Sequence, residues 1–184
     1  SKLLFTYGGM HIPDSTIILK DLKSTYDKSL KSHECFVGQK ISKNIMSTYD
    51  SLSPNLELMG CNKNSKVMND YVKSLELMNS RDYTNEIEFE GKMERLLNKF
   101  CMKGLIKKID GCVFGSKDIH RKDVNIDRLM NNNYIQFSEK LVGIYIDQNM
   151  LLKRPKYSWF CRLSQQQLMN CDNIICKWLI IALN

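Results

Sequence analysis

The sequence predicts an α+β fold, helical in its first half and hairpin-rich, in a winged-helix-like order, in its second. Three observations carry that expectation. Apolar residues recur about every fourth position through much of the stretch from Ile18 to Phe100, as on one face of successive helices. Asp110-Gly111 stands between two short apolar runs, the strongest short-range hairpin signal, because both central turn positions need positive φ. Tyr134–Phe137 and Leu141–Ile146 then read as two strands around Ser138-Glu139-Lys140.

The elements follow in order. After Gly8-Gly9 and the start signal Pro13-Asp14-Ser15, the residues Ile18, Leu22, Tyr26 and Leu30 share one helical face, and Gly38 ends that helix. Ile41, Ile45, Tyr49 and Leu52 keep the spacing until Pro54 stops it. The polar stretch Asn62–Ser65 caps a third helix that buries Val67, Met68, Tyr71, Val72, Leu75 and Met78. A fourth starts near Asp82 or Thr84, buries Met93, Leu96, Leu97 and Phe100, and closes at Lys103-Gly104 with a C-terminal glycine. Strand-like Leu105–Ile109 and Cys112–Phe114 flank the Asp-Gly turn, a short helix spans Ile126–Met130, and Asn131–Asn133 forms a turn. A last helix is expected from Ser164 through Leu179. The domain reading is a mainly helical region 1–103 and a basic α+β region 104–184, forming one compact unit of a larger polypeptide. Ser-Thr-Tyr-Asp and Leu-Glu-Leu-Met each occur twice, at offsets that differ, so no repeat architecture is expected.

With 43% apolar and 26% charged residues in 184, the chain is too apolar for a disordered one. Its longest terminal apolar run, Trp178–Leu183, is far short of a membrane span. The expectation is no span and an intracellular location, cytoplasmic or nuclear. A single alanine, Ala182, beside 21 Lys and 16 Asn points to an AT-rich genome, viral or protozoan among others. That bias makes lysine abundance a weak functional sign. Seven cysteines form an odd set without paired short spacings, and the 16 asparagines include no glycosylation acceptor, so the thiols are read as reduced and mostly buried. His33-x-Cys35 and Cys171-x4-Cys176 are the only spacings near a zinc pattern. No metal or other cofactor is expected.

Charge is uneven along the chain: residues 1–92 balance, and residues 93–184 carry the whole +7. If the hairpin after the fourth helix is a wing, Lys103, Lys107, Lys108, Lys117, Arg121 and Lys122 stand where wing cations reach phosphates. The most distinctive segment, Lys153 to Arg162, packs Lys153, Arg154, Lys156 and Arg162 with Tyr157, Trp159 and Phe160. Single-stranded nucleic acid is bound by this combination, cations following phosphates while rings stack on bases. In a strand, Tyr157 and Trp159 would share one face. The plain alternative is that Trp159 and Phe160 anchor the last helix to the core.

Catalytic signals are thin. His11, His33 and His120 have no nucleophile in a strained turn beside them, and Gly8-Gly9 lacks a phosphate-loop pattern. Glu86, Glu88 and Glu90 would align for a divalent cation only in a strand, whereas acidic residues also suit the first turn of a helix. The sequence therefore favours a non-enzymatic module that binds RNA or DNA. The competing readings are a protein-interaction or self-association domain using its ten methionines and a metal-dependent nuclease.

Overall fold

The computed structural model describes residues 1–43, 50–81, 86–153 and 155–183. In chain order the elements begin α1 (Lys2–Tyr7), β1 (Gly9–His11), β2 (Thr16–Ile18), α2 (Leu22–Leu30), β3 (Cys35–Lys43) and β4 (Asp50–Cys61). They continue α3 (Lys66–Asn79), α4 (Glu86–Met102), β5 (Lys107–Lys108), α5 (Ile126–Leu129), β6 (Gly143–Tyr145) and α6 (Gln148–Lys153). A 3₁₀ turn at Phe160–Arg162, α7 (Gln165–Met169) and α8 (Ile174–Leu183) complete the order. The chain is α+β, and it divides into two units. Ser1–Pro13, Leu22–Ser42 and Ser51–Asp110 form unit 1; Asp14–Asp21, Lys43–Asp50 and Gly111–Asn184 form unit 2.

Unit 1 is built on a four-stranded sheet in the order β1-β4-β3-β5. β1 runs antiparallel to β4 with Gly9 opposite Cys61, and β5 runs parallel to β3 with Phe36 opposite Lys107. Three contacts fix β3 against β4. The Asn62 amide donates to Glu34 O at 2.9 Å, the Phe36 ring lies over Gly60, and Leu58 lies over Gly38. These pairs keep one antiparallel offset. A Cβ on Gly60 would stand 2.4 Å from the Phe36 ring, and one on Gly38 2.7 Å from Leu58, so each glycine makes room for a large cross-strand partner.

Because strand side chains alternate, Cys35, Val37, Met59 and Cys61 share one face. They pack with Leu4 of α1, Met68, Tyr71 and Val72 of α3, and Leu97 of α4. On the other face Phe36 meets Tyr26 of α2 edge-on at 6.0 Å.

The strands of unit 1 correct the helical reading of the first half. Cys35 to Gly38 are all buried, because the sheet is covered on both sides, and such a strand has no polar-apolar alternation to read. Of the first expected helix only Leu22–Leu30 is helical, and Ile18 belongs to β2. Gly38 is a strand residue and not a helix stop. Of the second expected helix, Ile41 lies in β3 and Leu52 in β4; Ile45 and Tyr49 lie outside the described residues. Pro54 sits inside β4, beyond the stretch Met59–Cys61 that pairs with β1. Helices α3 and α4 occupy the stretches read for the third and fourth helices, with the expected start at Asp82 or Thr84 outside the described residues. Ser65 caps α3 by accepting from the Met68 amide, and Gly104, at φ 68°, follows α4 with the Leu105 amide on Phe100 O at 3.0 Å.

Unit 2 has little regular structure. β2 and β6 pair antiparallel over three residues each, with Ile17 opposite Ile144. Around them Val124, Ile126, Leu129, Ile135, Leu141, Leu151, Tyr157, Ile174 and Ile175 form the core. Polar side chains tie down the connecting loops. Asp118 accepts from the amides of His120 and Lys122, both at 2.9 Å, and from Arg128 Nη2 at 2.8 Å. Arg128 also donates to Asp123 O. Burial alone raises the Asp118 pKa, but the Arg128 and Lys122 bonds outweigh it and hold the carboxyl below its ordinary 3.8.

The expected wing is not built as a hairpin. β5 pairs with β3 instead, and Asp110-Gly111 is where the chain passes from unit 1 to unit 2. Tyr134–Phe137 forms no strand, and the partner of β6 is β2. Ser164 does start a helix, with a full capping box to Gln167. The helix ends at Met169, and α8 restarts after Asn173, whose side chain accepts from the Cys176 amide.

Candidate nucleic-acid interface

The cations singled out in the sequence divide between the units. Lys103, Lys107 and Lys108 belong to unit 1, where Lys107 Nζ donates to Lys28 O at 3.2 Å and Lys103 and Lys108 are exposed. Lys117, Arg121, Lys122, Lys153, Arg154, Lys156 and Arg162 belong to unit 2. The whole-chain imbalance does not become an imbalance between units: unit 1 holds 15 basic and 11 acidic residues, and unit 2 holds 12 and 9. Arg121 and Lys122 sit on the loop closed by Asp118 and are exposed. Arg154 and the Lys153 side chain lie outside the described residues.

Positive charge is concentrated more locally than by halves. From Gln148 to Cys171 there are four basic residues and no acidic one. That run was countable in the sequence, yet the ten-residue window from Lys153 to Arg162 concealed its length. Here the chain forms a turn and then the 3₁₀ segment, and not a strand, so Tyr157 and Trp159 do not share a face.

The two rings have opposite fates. Tyr157 is 5% exposed and belongs to the core; its hydroxyl donates to Asp127 Oδ1 at 2.6 Å, and Lys156 Nζ lies 5.1 Å from its ring centre. A ring so covered offers no face to a base, which corrects its assignment as a stacking residue. Trp159 is 46% exposed. Its Nε1 donates to Lys156 O at 2.9 Å, and its ring meets Phe160 edge-on at 5.9 Å. Phe160 in turn packs against the unit 2 core. The indole is therefore held at its polar edge and along one side while nearly half of it faces solvent. Lys156 and Arg162 are exposed beside it in sequence, and among the described residues no acidic side chain pairs with either.

Other candidate chemistry is sparse. Residues 86–90 open helix α4 and are not a strand, so the strand alignment that a carboxylate row of Glu86, Glu88 and Glu90 requires is not built. Among the described residues no three His, Cys, Asp or Glu side chains gather as metal ligands. A cleft of about 400 Å³ in unit 1 has Leu4, Met10 and Leu56 among its walls, with Tyr7 and His11 also lining it. The His11 ring nitrogen Nδ1 donates to Glu57 O, which fixes its tautomer. Among the described residues, no helix is long and apolar enough to cross a membrane. Comparisons with protein-family models, curated proteins and solved structures found no match.

Proposed function

We propose that unit 2 binds single-stranded nucleic acid, with Trp159 as the stacking platform and Lys156 and Arg162 as phosphate contacts. The observation that carries this reading is the fixed, half-exposed indole of Trp159 within a stretch of 24 residues free of acidic side chains. A pre-oriented ring loses little rotamer entropy when a base stacks on it, and each stacked base is worth roughly 1–3 kcal/mol. Cations without anionic neighbours attract a phosphate backbone without first breaking an ion pair. Nothing in this arrangement discriminates bases by hydrogen bonding, so the reading is of sequence-tolerant RNA or DNA binding without catalysis.

The test is fluorescence titration of the full chain with oligouridylate and oligothymidylate at low salt, comparing the native chain with Trp159→Ala. Binding that Trp159→Ala weakens by roughly 5- to 150-fold supports the reading. Absence of binding at low salt, or binding indifferent to Trp159, overturns it. A second reading, docking of a protein partner or self-association, rests on the exposed Ile181 and Leu183 at 56% and 66% on the last turns of α8. Light scattering that shows a dimer, dissociated by Ile181→Glu, favours that reading.

A further inference from the structure

Unit 1 contains a pair of thiols that the nucleic-acid reading does not use. Cys35 of β3 and Cys61 of β4 are both 0% exposed. The Asn62 amide on Glu34 O brackets them, and the neighbouring pairs Phe36 with Gly60 and Gly38 with Leu58 keep the same offset. Cys35 therefore stands directly across from Cys61, at a position flanked by ladder hydrogen bonds and not joined by them. At such positions antiparallel Cα atoms are about 4.5 Å apart and side chains are closest, inside the range of roughly 4.4–6.8 Å that a disulfide spans. The two thiols are near enough to act on each other's ionisation, which lowers the Cys35 pKa and raises that of Cys61.

Each sulfur also has a route for its proton. Cys35 Sγ lies 3.1 Å from Ser65 Oγ, and Ser65 Oγ donates to Glu34 Oε2 at 2.9 Å. Because the Ser65 proton is committed to Glu34, the Cys35 S–H donates to Ser65, and the chain of bonds ends on an exposed carboxylate. Cys61 Sγ donates to Leu4 O at 3.2 Å. Leu4 belongs to α1, a helix of six residues without a side-chain cap, too short to persist alone. Opening of α1 is a local event that uncovers the Cys61 side of the pair.

We propose that Cys35 and Cys61 form a redox-responsive pair, which hydrogen peroxide converts to a disulfide locking β3 to β4. Cys35 passes its proton through Ser65 to Glu34, and its sulfur attacks one peroxide oxygen. The O–O bond breaks, the departing hydroxide takes that proton and leaves as water, and Cys35 becomes a sulfenic acid. The Cys61 sulfur then attacks the Cys35 sulfur; the S–O bond breaks, the Cys61 proton joins the hydroxyl, and a second water leaves. Two thiols lose two electrons in all, and one peroxide is reduced to two waters. A dithiol reductant reverses the reaction by exchange. The closed loop restrains the unfolded chain, so oxidation stabilises the sheet against unfolding.

The experiment uses the full chain with Cys161→Ser, which removes the exposed cysteine of unit 2 and leaves unit 1 untouched. The folded protein is exposed to hydrogen peroxide, trapped with a maleimide, unfolded, digested without reductant and analysed by mass spectrometry. The expected result is a peptide pair joined through Cys35 and Cys61. Dithiothreitol should reverse it, and the thermal midpoint should rise by roughly 5–10 °C over the reduced form. Leu4→Ala, which loosens the α1 cover, should speed the reaction several-fold. In Cys61→Ala the reaction should stop at a Cys35 sulfenic acid captured by dimedone. Recovery of Cys35 and Cys61 as free thiols, or their joining to other cysteines instead, overturns the proposal.

Discussion

Unit 1 and unit 2 reach order by different means. Unit 1 has a four-stranded sheet whose backbone groups pair with one another, and its specificity lies in volume: Phe36 over Gly60, Leu58 over Gly38. Among the described residues, unit 2 pairs two three-residue strands and spends much of its chain in loops. Its backbone donors need side-chain acceptors, and Asp118, Asn125, Asn131, Asp147 and Asn173 supply them. A unit with a regular ladder tolerates few volume changes at its centre. A unit of pinned loops is most sensitive where a buried polar pin is removed. The surface proposed to bind nucleic acid lies on the pinned unit, as binding segments commonly do.

The largest expected effect is at the strongest pin. Asp118→Ala leaves two amides and the Arg128 guanidinium without their acceptor, at a cost of about 3–5 kcal/mol; Asp118→Asn should keep part of it. Both tryptophans, Trp159 and Trp178, lie in unit 2, so the urea unfolding curve followed by their fluorescence reads this unit. The pH dependence has a definite sign. The Asp118 pKa is lowered in the folded state, so its stabilisation is fully present above the unfolded value near 4 and is lost as pH falls through the folded value. The tryptophan-detected acid transition should move to higher pH in Asp118→Ala. An unchanged acid limb would show that the pin is not what holds unit 2.

Next comes a volume change in unit 1. Gly60→Val places a branched side chain where even a Cβ meets the Phe36 ring at 2.4 Å and Gly9 O at 3.0 Å. The expected loss is roughly 3 kcal/mol, read by far-ultraviolet circular dichroism in urea. Adding Phe36→Leu to Gly60→Val should recover part of it, because the clash is between those two side chains. Failure of that rescue would locate the strain in the Gly9 backbone instead.

The same contrast explains what the sequence disclosed. Helices α3 and α4 were legible because each has a long apolar face with end signals at Ser65 and Gly104. β3 and β4 were not, because a strand buried on both faces carries no period of two. Leu-Glu-Leu-Met makes the point within one unit: at Leu56–Met59 it is strand β4, and at Leu75–Met78 it is helix α3. In the first copy Leu58 and Met59 are buried on opposite sheet faces, whereas in the second Leu77 is 61% exposed. Tertiary surroundings override four residues of local preference. At the proposed interface, Trp159, Lys156 and Arg162 were legible as residue types. The burial of Tyr157 was not, since its partner Asp127 is 30 positions away.

A smaller effect separates those two rings. Tyr157→Phe removes the hydroxyl that reaches Asp127 while keeping the packed ring, and should cost about 1.5 kcal/mol in the tryptophan-detected unfolding curve. It should leave oligonucleotide affinity within about twofold, because the hydroxyl faces the unit's interior. Loss of affinity without loss of stability in Tyr157→Phe would return this tyrosine to the binding surface.

The smallest expected effect on stability is at Arg162, and it is the sharpest on function. The side chain is exposed and has no acidic partner among the described residues, so Arg162→Gln should change stability by no more than about 0.5 kcal/mol. If the guanidinium contacts one phosphate, its loss should weaken oligonucleotides of every sequence alike and reduce the slope of log affinity against log salt by about 0.7. Lys156→Gln should reduce the slope by the same amount, with a small additional loss of stability from uncovering the Tyr157 ring. Equal slopes in the native chain and both variants would mean that phosphate is not held beside Trp159. The indole would then be an anchor for a protein partner, a role in which salt has little influence.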